Sequence, residues 1–255
     1  MRKADLIKLL NKEQRIEADY PGVRKEFAGP IIRSLSVDGI DNCIIYSELD
    51  DRNADEAIED QLRYFGQQGM KFEWKVYDFD RPHDLKERLI AKGFNPGEAE
   101  ALLILELQPD HELLQLPIPS SIRRVTDSGK IDGIIALEDS VWEESHQELG
   151  ERLKDELSST PEQLAIFVAE HEGQTVSAAW MYFHEGTSFC SLWGGATLEL
   201  FRGQGHYKAL LAARAQHAWS HGYRMLMVEA SPMSRPILEQ KGFVFLGYSY
   251  PCMSP

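Results

Sequence analysis

Ala196-Thr197-Leu198-Glu199-Leu200-Phe201-Arg202-Gly203-Gln204-Gly205-His206-Tyr207 joins two stretches of different periodicity. Ahead of it, Ser188 to Ala196 carries the aromatic and small residues of a buried strand. Behind it, Tyr207 and then Leu210, Leu211, Ala215 and Ala218 recur at helical spacing, with a helix expected over 208–221. A strand that breaks into glycines and then opens a helix leaves main-chain N–H groups without carbonyl partners, at the positive end of the helix dipole. Such a turn suits an anion, above all a phosphate or pyrophosphate. It is not a P-loop, because no Gly-Lys is followed by Ser or Thr. It is not a dinucleotide fingerprint either, because Lys208 stands where the third glycine belongs. An ordinary surface turn with two glycines has the same local order, so the flanking elements must decide.

Composition sets the frame for those elements. At 255 residues, with 43% hydrophobic and 27% charged, the chain can form one large domain or two small ones with a real core. Cys43, Cys190 and Cys252 are odd in number and show no paired spacing, which predicts reduced thiols and a cytoplasmic address. No apolar run reaches membrane-spanning length, and Met1-Arg2-Lys3-Ala4-Asp5 leads into an amphipathic stretch rather than a signal peptide. The net charge of −14 argues against nucleic-acid binding, which needs clustered cations. It favours a cationic substrate such as an amine, beside its plain role in solubility.

Taken in order, residues 2–19 predict a charged amphipathic helix (Leu6, Leu9, Leu10, Ile16) stopped by Tyr20-Pro21-Gly22. Strands are expected at 31–35 and 42–47, around the turn Val37-Asp38-Gly39. A helix with Ile58, Leu62 and Phe65 on one face follows the polar segment 50–53. Residues 71–77 alternate as a strand, Pro82 suits the first position of a helix closed by Gly93, and 101–107 is another strand. The proline-bearing stretch 108–121 reads as a linker. Beyond it come a strand at 122–126, helices at 130–140 and 142–157, and strands at 164–169 and 174–183 joined by His171-Glu172-Gly173. His184-Glu185-Gly186-Thr187 leads to the strand from 188, so glycine turns make an antiparallel meander. A strand at 224–228, a helix at 234–240 and a strand at 243–250 end the chain.

The motif Arg202-x-x-Gly205-x-Tyr207 resembles the Q/R-x-x-G-x-G/A signature of the GNAT acetyltransferases, with Tyr207 in place of the last small residue. The order β-α-α-β-β-β-turn-α-β-α-β over 122–255 is similar to that of the family. So is the run Ser231 to Phe243, with its Lys241-Gly242-Phe243 ending. The resemblance implies an α+β fold with a mixed sheet and a GNAT-like acyl-CoA N-acyltransferase domain at 116–255. It also implies a sheet that splays before the glycine turn to admit the pantetheine arm of acetyl-CoA. The amides of Arg202, Gly203, Gln204, Gly205, His206 and Tyr207 are then expected to hold the pyrophosphate, with charge added by Arg202 and Lys208. A main-chain donor near Thr197 or Leu198 would polarise the thioester carbonyl.

A second pattern lies in the N-terminal half. Phe72 to Tyr77, Asp84 to Phe94 and the strand after them echo Met225 to Glu229, Ser234 to Phe243 and the final strand, each with Lys-Gly-Phe between helix and strand. Residues 1–115 are therefore expected to form a degenerate GNAT-like repeat without a cofactor site, since nothing like Arg-Gly-Gln-Gly precedes the helix at 55–66. A common helix stop followed by an apolar anchor gives the same Gly-Phe pattern.

The implied activity is an N-acetyltransferase that moves an acetyl group from acetyl-CoA, as cosubstrate, to a small-molecule or peptide amine by direct transfer. Glu229, at a strand end, is the candidate base, and Tyr248 and Tyr250 are candidate proton donors; an edge carboxylate and core aromatics are the structural alternatives. The tyrosine that the family often carries on its last helix is Leu238 here. That departure and Tyr207 support an alternative, a non-catalytic acetyl-CoA-binding module with a regulatory or scaffolding role. His171 and His184 have no partner at metal-ligand spacing, and Cys190 reads as a buried strand residue rather than a nucleophile.

Overall fold

In the computed structural model residues 1–19, 22–37 and 41–255 are described. Tyr20 and Pro21 of the expected helix stop, and Asp38 and Gly39 of the expected turn, lie outside them. The elements run in chain order as α1 (Lys3–Leu10) with a π-helical continuation (Asn11–Glu17), β1 (Val23–Ala28), β2 (Ile31–Ser36), β3 (Cys43–Ser47), α2 (Ala54–Gln67), β4 (Glu73–Tyr77), α3 (Leu85–Ala91), β5 (Asn95–Pro96) and β6 (Glu100–Glu106). They continue with α4 (Glu112–Gln115), β7 (Ile122–Val125), α5 (Ile131–Trp142), α6 (Gln147–Ser159), β8 (Leu164–His171), β9 (Gln174–Phe183), β10 (Phe189–Thr197), α7 (His206–Ser220), β11 (Met225–Ala230), α8 (Arg235–Glu239) and β12 (Val244–Met253). Contacts divide the chain into two units, Met1–Ile104 with Glu229–Pro255, and Leu105–Val228.

In the first unit β1, β2 and β3 form an antiparallel meander, and β3 then pairs with β4 in parallel over Cys43↔Glu73 and Ile44↔Trp74. Strand β12 pairs antiparallel with β4 (Tyr250↔Val76) and with β6 (Phe245↔Leu103). The core is aromatic, with Phe65 stacked on Phe72 at 4.2 Å between centroids and Trp74, Phe94 and Cys252 buried beside them. From the π-helical segment, Arg15 binds Asp80 through both oxygens at 2.7 and 2.8 Å and lies over the rings of Tyr46 and Tyr77. This ion pair is fully enclosed, and burial is offset by Asp80 and by the ring faces.

Helix α3 starts at Leu85, three residues later than Pro82 suggests, because Pro82 closes a preceding turn in which its carbonyl accepts from the Leu85 amide at 3.0 Å. Strand β1 has no counterpart among the sequence expectations. None of its residues is buried, and Arg24 and Phe27 are exposed, so it lacks the apolar alternation that marks a strand with one face in a core.

The second unit holds the strand order β11-β10-β9-β8-β7, antiparallel except for β10 with β11. The turn between β8 and β9 places Glu172 and Gly173 at φ 50° and 82°, the left-handed pair that a tight hairpin needs. The core joins Ile131, Ile134 and Leu137 of α5 to Ile166, Ala178, Trp180 and Ala196 of the sheet. The stretch read as a linker contains α4. Leu113 is fully buried there, and the Gln216 carboxamide of α7 donates to the carbonyls of Leu113 and Leu116 at 3.0 and 2.7 Å. These contacts order the segment despite its prolines.

All three thiols are unpaired, and burial raises each above its usual range, Cys43 to about 12 and Cys252 to about 11. No helix among the described residues is long and apolar enough to cross a membrane.

Candidate functional site

Strand β10 has partners on both edges only at its start. It pairs with β11 at Phe189↔Met225, Cys190↔Leu226 and Ser191↔Met227, and then runs on to Thr197 with β9 alone. The strands thus fork after Ser191. Just past the fork, Gly194 opposes Ala179 and Ala196 opposes Ala178, so Gly195 is the extra residue of a bulge. Both glycines take left-handed backbone, at φ 67° and 104°. Close approach enforces the choice of residue. A Cβ on Gly194 would lie 2.4 Å from the Trp180 ring, and one on Gly195 would lie 3.1 Å from the Tyr207 ring.

The strand end is closed by hydrogen bonds. The Ser177 hydroxyl donates to the Ala196 carbonyl at 2.8 Å and contacts the Thr197 hydroxyl at 2.7 Å. The Leu198 amide donates to the Val176 carbonyl, and the Arg202 amide to the Glu199 carbonyl across a 3₁₀ turn. These two amides are therefore engaged, and neither Leu198 nor Arg202 offers a main-chain donor to a ligand as the sequence suggested. Arg202 turns its Nε to the Thr197 carbonyl at 3.2 Å, with the rest of its exposed guanidinium open.

Past Arg202 the pattern reverses. The amides of Gly203, Gln204, Gly205, His206, Tyr207 and Lys208 donate to no group among the described residues. Gly205, at φ 86° and ψ 1°, is the N-cap of α7 and supplies no side-chain cap. Gly203 and Gly205 both have open space where a side chain would project. A run of unpartnered amides, two left-handed glycines and the head of a 15-residue helix together form an anion nest. Lys208, exposed at the start of the helix, adds a cation. Tyr207 keeps its amide in the nest while its half-buried ring turns away under Gly195, which explains how a bulky residue fills a small residue's place. Burial pushes the Tyr207 hydroxyl up, against the opposing effect of Arg214.

Sequence reading overlooked Arg214. It is 2% exposed and, among the described residues, has no carboxylate partner. Its Nη1 donates to the carbonyls of Trp180 and Trp193, both at 3.2 Å, and its Nε to that of Leu210 at 3.3 Å. Burial pulls its pKa down to about 10, so it stays charged at neutral pH. The Gly194-Gly195 pair inside an apolar run was the available signal for a bulge; nothing local points to the arginine beneath it.

The proposed proton-transfer groups lie in the first unit. Glu229 follows Met227 by two residues along β11, and its carboxylate accepts from Lys75 Nζ at 2.9 Å and from the Tyr77 hydroxyl at 3.5 Å. Lys75 is shared with Glu100 at 3.4 Å. Burial opposes the Lys75 charge, but Glu229 and Glu100 raise its pKa; burial and Glu229 in turn raise that of Glu100. Tyr248 accepts at its hydroxyl from Arg235 at 2.7 Å. Tyr250 lies under the Lys86 ammonium at 4.1 Å, and burial raises its pKa. His184 is buried against Ser191 at 2.9 Å, and His171 lies beside the Phe201 ring.

Residues 131–243 match the family model for the acetyltransferase (GNAT) family. No curated protein matches the chain in sequence. Among solved structures, a GCN5-related N-acetyltransferase from Kribbella flavida shares the fold with TM-score 0.66 at 16% identity, over 99% of this chain and 94% of that one. Another, from Sphaerobacter thermophilus, has TM-score 0.59 at 13% identity over 100% and 93% of the two chains. A tandem GNAT protein from the clavulanic acid biosynthesis pathway has TM-score 0.61 at 12% identity over 93% and 84%. Residues 131–243, which match the GNAT acetyltransferase family model, contain both the strand fork and the amide nest.

Proposed function

We propose that this protein is an N-acetyltransferase that uses acetyl-CoA to acetylate an amine by direct transfer. The observation that carries this reading is the unpartnered run of amides from Gly203 to Lys208 beside the β10–β11 fork. The donor set fits the group: a pyrophosphate is anionic and polydentate, and it finds main-chain donors, a helix N-terminus and the cations of Arg202 and Lys208. The free edge of β10 offers main-chain groups to the amides of a pantetheine arm. Bound acetyl-CoA would supply the activated acyl group. Glu229 takes the proton from the acceptor amine, directly or through water, and Tyr248 is the candidate to return one to the departing sulfur. The acceptor is a small-molecule or peptide amine, in keeping with the net charge of −14. The unpaired thiols fit a cytoplasmic setting.

In this reading residues 1–115 are a degenerate repeat of the same fold. Strands β1 to β3, α2, β4, α3 and β6 occur in the same order as β8 to β10, α7, β11, α8 and β12. Each set also has its one parallel pair at the third and fourth strands. A second reading, a non-catalytic acetyl-CoA-binding module, draws on the engagement of Glu229 by Lys75 and of Tyr248 by Arg235.

Calorimetry with acetyl-CoA tests the assignment. Gly205→Trp fills the open face of the nest and should weaken binding at least about 100-fold while the protein stays folded, its left-handed backbone costing about 1–2 kcal/mol of stability. Unchanged affinity would remove the cofactor site from this loop. Thioester consumption across a panel of amines then separates the enzyme from the binding module.

A further inference from the structure

A buried cation without a counter-ion is costly, and hydrogen bonds alone must compensate it. Arg214 makes those bonds at a particular place. A single nitrogen, Nη1, takes the carbonyls of Trp180 and Trp193, which oppose each other in the β9–β10 register. This is the last pair before the bulge at Gly194 and Gly195, and it lies two residues beyond the end of pairing with β11. There β10 has lost one neighbour, and its next two residues carry no side chain to fix them.

The peptide between Trp193 and Gly194 is trans, so its N–H points opposite to its carbonyl. Tying the carbonyl to Arg214 therefore also sets the direction of the Gly194 amide. Two further contacts restrain the bulge, the Trp180 ring against Gly194 and the Tyr207 ring against Gly195. Both are apolar packing and do not orient a peptide dipole. Pairing with β9 on both sides of Gly195 sets the strand's plane, and Arg214 adds a charged donor that holds the Trp193 carbonyl and polarises the amide at the other end of the same peptide.

We propose that Arg214 is a positioning residue for acyl transfer, holding the Gly194–Gly195 bulge so that its amides face the acyl group of the bound thioester. This rests on the acetyl-CoA reading above, and it moves the polarising donor from the Thr197–Leu198 end, where the Leu198 amide is already engaged, to the bulge. Arg214 itself touches neither substrate nor cofactor. The nest at Gly203–Lys208 makes no hydrogen bond to the Arg214 side chain, so cofactor affinity and turnover should respond separately.

The test uses the full chain with Arg214→Met and Arg214→Lys. In Arg214→Met the dissociation constant for acetyl-CoA should stay within about threefold, while kcat falls on the order of 100-fold, the loss expected when a transition-state donor is misplaced. Arg214→Lys, which can still donate to both carbonyls, should recover at least about tenfold of that loss. Amide hydrogen exchange over 193–196, measured without cofactor, should accelerate in Arg214→Met and return toward wild type in Arg214→Lys. Unchanged exchange in Arg214→Met overturns the clamp whether or not the protein is an enzyme. Accelerated exchange with unchanged kcat overturns its role in transfer, as does a loss of affinity and turnover together that lysine does not restore. Failure of the wild-type protein to bind acetyl-CoA would instead defeat the cofactor reading, with the exchange experiment still deciding the clamp.

Discussion

Gly194 and Gly203 both hold left-handed backbone, at φ 67° and 73°, yet a methyl group should affect them differently. At Gly203 nothing lies within 4 Å of the new carbon, so Gly203→Ala pays only for its backbone, about 1–2 kcal/mol. At Gly194 the same backbone term is joined by a collision with the Trp180 ring, whose nearest atoms are at 2.4 and 2.6 Å. That ring is buried and cannot swing away, so overpacking adds about 1–3 kcal/mol. Urea unfolding should place Gly194→Ala well below Gly203→Ala in stability, and equal losses would mean that the bulge is not packed as described. The contrast also shows what single residues reveal in sequence. Arg202, Gly203 and Gly205 marked the turn, because their conformational needs are local. Which amides were already engaged was not legible. The partner of Leu198 is Val176, on a different strand, and a spacing of 22 residues has no local signature.

At the scale of elements, the β9–β10 hairpin is tied by a histidine that its neighbours keep neutral. The His184 ring contacts the Ser191 hydroxyl at 2.9 Å, its amide donates to the Phe189 carbonyl, and the Thr187 hydroxyl donates back to its own carbonyl. Burial pulls its pKa from 6.5 down to about 4. The unfolded chain therefore binds a proton near pH 6.5 that the folded chain refuses until about pH 4, so stability falls as pH drops through that window. At pH 5 this one residue should remove about 2 kcal/mol relative to neutral pH. His184→Gln should flatten that part of the profile when unfolding is compared at pH 7 and pH 5; an unaltered slope would show that His184 is not the group responsible. The hairpins themselves were plain in the sequence, because glycine turns separate strongly apolar runs. Strand β1 and helix α4 were not. The first has no buried residue, and the second is ordered by Gln216 of α7, about a hundred positions along the chain.

At the scale of the molecule, sequence order and packing order part ways at the C-terminus. Local patterns assign β12 to the second repeat, where it ends the series β11, α8, β12. In space it belongs to the first unit. It pairs with β4 at Cys252↔Trp74 and with β6 at Val244↔Ile104, while the Ser254 hydroxyl and amide exchange bonds with Phe72. Cys252 sits within the aromatic core beside Phe94. Without these residues β4 and β6 would expose buried edges, and Phe72 and Trp74 would lose part of their cover, a loss larger than a unit of this size can absorb. A chain ending at residue 115 should therefore fail to fold, despite holding the whole of the proposed first repeat. Supplying residues 229–255 as a separate peptide should restore its near-ultraviolet circular dichroism in a dose-dependent way, with the aromatic cluster as the reporter. If the 1–115 fragment alone unfolds cooperatively, with ordered aromatic signals, β12 contributes little, and the first repeat is a self-sufficient domain after all.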